Sequence, residues 1–100
     1  MQVTHARTSE GAIFSRVLEP EKGTLSAAAA KTILDLDFNQ VDKDRMRELS
    51  AKAREGILTD EEQAEINNYE RVGHILSLMK SKARLSLKVR GATNRKAKAY

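Results

Sequence analysis

The residues able to do chemistry are few and poorly spaced for it. His5 and His74 are the only histidines and stand far apart in the sequence, and there is no cysteine. No His-x-x-x-His or Cys/His spacing exists, so the sequence predicts no transition-metal site. Asp35 with Asp37, and Asp42 with Asp44, are pairs of carboxylates two residues apart. On a helix that spacing puts the two members on different sides, which suits caps and solvated charge rather than acid–base catalysis. Ser77, Ser81 and Ser86 have no base in the pattern around them, so none reads as a nucleophile. Gly23, Gly56, Gly73 and Gly91 are isolated, and no phosphate-cradling glycine loop is present. These features predict no catalytic residue, no cofactor and no enzyme.

The chemistry that is legible is charge. Residues 80–100 carry Lys80, Lys82, Arg84, Lys88, Arg90, Arg95, Lys96 and Lys98 and no acid, a charge of +8 against −4 over residues 1–79. Such a segment is usually solvated, but it also suits phosphate contact without sequence readout. Tyr100 is its one aromatic residue, so a stacking platform for single strands is poorly supported. Lys80, Lys88, Arg90, Arg95, Lys96 and Lys98 are therefore the candidates for nucleic-acid contact.

The element that must position these cations is a long helix beginning near Thr59. Thr59 and Glu62 have capping-box spacing, acids crowd the start, and bases crowd the end. Tyr69, Val72, Leu76, Met79 and Ala83 form one apolar stripe at spacings of three and four, with Leu87 following. Ile75, Leu78, Leu85 and Val89 form a second stripe that contains Lys82. A helix with two apolar faces needs two covers. The first belongs to the protein's own core. The second, Ile75, Leu78, Leu85 and Val89, is either covered internally as well or, with Lys82 and Arg84 as polar anchors, is the predicted partner-binding surface. Gly73 costs such a helix ~1 kcal/mol relative to alanine. It reads as a close helix crossing, against the alanines at 27–30, or as a slot for a partner's side chain.

Upstream, Ile13, Phe14, Val17 and Leu18 have one-face helical spacing, ended at Glu19-Pro20. Ser26 is a candidate N-cap for an alanine-rich helix, and Phe38 an anchor residue. Asn39 or Asp42 caps a helix running to Glu55, and Gly56 fits the left-handed residue after it. The short link to Thr59 predicts an antiparallel hairpin. The predicted fold is all-α: short N-terminal helices packed on an antiparallel helical hairpin with a long C-terminal helix. Residues 1–10 are expected to be a flexible N-terminus, 11–89 a helical domain, and 90–100 a basic flexible tail. Absent cysteine, no hydrophobic leader and no apolar run of membrane-spanning length point to a cytoplasmic location.

Residues 15–20 (SRVLEP), 25–34 (LSAAAAKTIL) and 44–88 resemble a family of small helical bacterial proteins abundant in planctomycetes and cyanobacteria. The shared pattern is an Arg-Met/Ile-x-Glu-Leu helix at 45–49, a Gly-x-Leu-Thr-x-Glu-Glu turn and cap at 56–62, Tyr69, and a closing Lys-Ala-Arg at 82–84. The resemblance covers residues 13–88 and implies no chemistry. Members are often encoded beside a small HNH-type nuclease, which implies an antitoxin-like or accessory partner. The predicted function is a non-catalytic protein-interaction module working through the long helix. A basic nucleic-acid-binding accessory protein and a structural subunit of a larger assembly, including a homo-oligomer, are the alternatives.

Overall fold

The computed structural model describes residues 8–99, with side chains described from Thr8 to Gly91. The described residues form an all-α fold of four helices, α1 (Glu10–Leu18), α2 (Ala27–Leu34), α3 (Gln40–Glu55) and α4 (Asp60–Ala99). The long C-terminal helix packs against the shorter ones, as the sequence predicts. Residues 1–7 and Tyr100 lie outside the described residues, and with them most of the segment expected to be a flexible N-terminus.

Local sequence sets the helix ends. Ser9, Ser26 and Asn39 are the N-caps of α1, α2 and α3, each side chain accepting from the amide three residues on, at 3.2, 3.1 and 2.9 Å. α3 ends at Gly56, whose φ of 71° lies in the left-handed region. Its amide donates to the Ala53 carbonyl, and the Ile57 amide donates to that of Lys52. α4 opens with a closed capping box. The Glu62 amide donates to Thr59 Oγ1 at 3.1 Å, and the Thr59 amide donates to Glu62 Oε1 at 3.0 Å.

The chain divides into two compact units, residues 37–74 and residues 1–36 with 75–100. The first is the α3/α4 hairpin. One flank carries a polar ladder between the helices. Lys52 Nζ donates to Glu62 at 2.5 Å, Arg45 grips both Glu65 oxygens at 2.7 and 2.9 Å, and the Tyr69 hydroxyl donates to Asp42 at 2.7 Å. Phe38 sets its ring edge against Tyr69, with centroids 5.9 Å apart. Leu49, 1% exposed, is the fully buried large apolar side chain of this unit among the described residues.

The second unit places α1, α2 and the turn between them on the later part of α4. Here side chains of α4 bind the backbone of the turn. Lys82 Nζ donates to the Leu18 and Glu19 carbonyls at 2.7 and 3.3 Å. Ser86 Oγ accepts from the Leu25 amide at 3.1 Å and donates to the Lys82 carbonyl at 2.8 Å. Arg90 Nε donates to the Leu25 carbonyl at 2.9 Å. Glu19 closes α1 in the left-handed region at φ 53°, which for a residue other than glycine is unfavourable on its own. Its amide bond to the Ser15 carbonyl and the Lys82 contact hold it there. The fully buried small residues Ala30, Ala83 and Ser86 make up the interior.

Two expectations are corrected. α4 runs ten residues past Val89, the end predicted for the helical domain, to Ala99. Residues 90–99 lack apolar periodicity, yet they hold three alanines, four basic residues of good helix propensity and no proline, and they extend an existing helix, which avoids the cost of nucleating one. Gly73 is not the site of a close helix crossing: a Cβ there would meet nothing within 4 Å among the described residues. The close approach is at Gly23, where a Cβ would lie 3.1 Å from the Leu85 carbonyl oxygen and 3.2 Å from its Cγ.

Candidate functional site

The hairpin has an open flank as well as a laddered one. Arg45, Lys52 and Asp42 of α3, with Glu62, Glu65 and Tyr69 of α4, share the ladder side. Stepping round each helix by ~100° per residue puts Met46, Ser50 and Ala53, and Ile66, Glu70 and Gly73, on the adjoining face. These residues, with Leu49 as floor and Tyr69 at the margin, line a groove of about 360 Å³. Met46, Ile66 and Gly73 are half-buried, while Ser50, Ala53 and Glu70 on the rim are exposed. Because a Cβ at Gly73 would touch nothing among the described residues, the glycine adds room to the groove.

The ladder stiffens the walls of that groove electrostatically. The Lys52 ammonium and the Thr59 amide hold the Glu62 carboxyl down to about 2. Hydrogen bonding to Arg45 lowers the Glu65 carboxyl, and the same pairing raises the Arg45 guanidinium. Arg45 also reaches Glu48 at 2.9 Å and lies 3.6 Å from Glu62. Donation to Asp42 raises the Tyr69 hydroxyl. These are reciprocal structural pairs. Among the described residues no three His, Asp or Glu side chains are grouped to hold a metal ion, and no helix is long and apolar enough to cross a membrane.

The surface predicted from the second stripe of α4 is divided by the fold. Lys82, predicted as a polar anchor for a partner, is buried and spends its ammonium on the α1 C-terminal carbonyls. Leu85 is half-buried beneath the turn at Gly23. Ile75 and Leu78 are half-buried, Arg84 is exposed, and Val89 is 45% exposed. The reason is that the turn at residues 19–25 supplies the second cover that periodicity alone left open.

The basic candidates divide in the same way. Lys80 is half-buried and Lys88 exposed. Arg90 is exposed but turned to the Leu25 carbonyl. Arg95, Lys96 and Lys98 lie on the helical backbone of α4, and their side chains are outside the described residues. Helical spacing in the sequence marks Met46 and Ala53 as apolar positions of α3 but not as site residues, and it singles out neither Ile66 nor Glu70. Gly73 was the one signal for them, since a glycine inside a helix that meets no neighbour leaves space. Searches with protein-family models, curated proteins and solved structures return no match to this chain.

Proposed function

We propose that this chain is a non-catalytic protein-interaction module whose hairpin groove receives a helix of a partner protein. The observation that carries the reading is the groove of about 360 Å³ beside Gly73. Two antiparallel helices offer a lengthwise apolar seam, and a third amphipathic helix is the element that fits it. The polar ladder joins the two helices on the adjoining flank, with Tyr69 at the margin of the seam. Of the residues predicted from the second stripe of α4, Ile75 and Leu78 are half-buried, and Lys82 and Leu85 are engaged internally. The family resemblance of residues 13–88 nominates an HNH-type nuclease as the partner, restrained or assisted in an antitoxin-like or accessory role.

The test is co-purification with any HNH-type nuclease found encoded beside its gene, for the native chain and for Gly73→Leu. Leucine improves helix propensity at this position by several tenths of a kcal/mol and fills the groove. The expected result is unchanged or higher thermal stability with loss of the stoichiometric complex. A complex retained at full affinity in Gly73→Leu overturns the groove as the contact surface. No complex with the native chain removes the nuclease as partner.

A further inference from the structure

The hairpin by itself buries little. Residues 37–74 form a unit below the ~40 residues under which disulfides, metals or association usually supplement the core. Leu49 is its fully buried large apolar side chain among the described residues, while Met46, Ile66 and Tyr69 are half-buried along the groove. The sequence holds no cysteine to staple it. The sixteen residues of α3 make a face about 24 Å long, and two helices side by side make it about 20 Å wide. Closing such a face on a copy of itself removes on the order of 1,200 Å² of surface, the lower end of specific interfaces.

The two edges of the groove are opposite in charge. Glu70, on the α4 edge, is exposed and takes part in no ion pair among the described residues. On α3, Lys43 stands seven residues before Ser50, and ~100° per residue puts the two within ~20° on the same edge. The bond between Tyr69 and Asp42 sets the residues that follow them, Glu70 and Lys43, at about the same height along the hairpin.

We infer that in the free protein the groove is covered by the groove of a second copy, giving an antiparallel four-helix bundle that a partner helix must open before it binds. A two-fold axis parallel to the helices preserves height and lays each α3 antiparallel on the α4 of the other copy. Lys43 of each copy then meets Glu70 of the other. Lys43 already holds Asp37 at 2.8 Å, and its ammonium has donors left for a second carboxylate. Ser50, Gln63 and Asn67 give the remainder of these edges the polar character of a rim. The inference rests on the reading of the groove as a docking surface and adds how that site is held when no partner is present.

The test is sedimentation velocity of the full chain from ~1 to ~100 μM, where an interface of this size gives a monomer–dimer equilibrium with Kd on the order of micromolar. Glu70→Arg brings like charges together and should weaken the dimer about tenfold or more. Lys43→Glu added to Glu70→Arg restores opposite charges across the two-fold axis and should recover most of the loss. Gly73→Leu fills the groove and should leave a monomer. Circular dichroism checks that helix content is kept in each. A native chain that stays monomeric at ~100 μM overturns the inference. So does a double variant no tighter than Glu70→Arg alone. A dimer of native strength in Gly73→Leu, with the nuclease complex lost, overturns the self-pairing and leaves the groove as the nuclease site. The reverse result, a lost dimer with the nuclease complex retained, supports the self-pairing and overturns the groove as the nuclease site.

Discussion

The two units of this chain are held together in different currencies. In residues 37–74, α3 and α4 join through side-chain pairs: Lys52 with Glu62, Arg45 with Glu65, Tyr69 with Asp42. In the other unit, side chains of α4 grip main-chain atoms of the 18–25 segment, at Leu18, Glu19 and Leu25. The first arrangement needs only two regular helices in register. The second needs a particular irregular backbone path, because the acceptors belong to a turn. The two should therefore respond differently to truncation, to acid and to changes at glycine.

The largest effect is expected at the floor of the hairpin. Leu49→Ala removes the buried large apolar side chain between α3 and α4 and should cost about 2–5 kcal/mol by denaturant titration. Hydrogen exchange should show residues 40–74 losing most protection. An equal loss at the Leu25 amide would show that the two units unfold as one.

Ser86→Ala is the matching probe of the other unit. It leaves the Leu25 amide without its acceptor and should cost about 1–3 kcal/mol. Gly23→Ala should fall in the same range, since its Cβ would press on the Leu85 backbone. An unchanged midpoint in both would mean that the turn contacts do not hold this unit.

Acid separates the two without mutation. The folded Glu62 carboxyl is held at about 2, below its ordinary 4.5. Its contribution is therefore complete above that ordinary value and disappears as pH falls through the interval between the two. Glu65 acts in the same direction. Hairpin amides should lose protection in this window, whereas the Leu25 amide, bonded to a hydroxyl, should not follow by the same route. Glu62→Gln should remove much of the acid dependence of the hairpin. At the alkaline end the sign reverses for Tyr69. Its raised hydroxyl supports the fold below the ordinary tyrosine value and ceases to do so as pH rises through the folded one. Tyr69→Phe should abolish that alkaline step.

The smallest effect is a gain. Gly73→Ala should raise hairpin stability by up to ~1 kcal/mol through helix propensity, because the new methyl group meets open space. A loss of stability there would reinstate a close contact at Gly73.

Periodic and local features were readable in advance. Ser26, Asn39, Gly56 and the Thr59–Glu62 box act over three to five residues, so their spacing in the sequence nearly settles their geometry. The hairpin followed from a short connection between two patterned segments. Phe38 reads as an anchor, and it is half-buried with its ring on Tyr69. Lys82 and Leu85 were misplaced because their covers lie more than sixty residues away, in a turn with no apolar period. The Arg45 and Lys52 pairs were not legible either, since charge on a helix face looks the same whether solvated or paired.

The sequence by itself determined that the chain is helical, where its helices begin and end near the caps, and that its cations gather at one end. Those properties arise from backbone propensity, capping and composition, which act within a few residues. Tertiary structure alone decided which face of α4 is covered and which glycine lies against a neighbouring backbone. It also decided that Lys82 points inward while Arg84 and Lys88 remain exposed. Each of these depends on where a distant carbonyl or side chain lands, and helical periodicity carries no information about that.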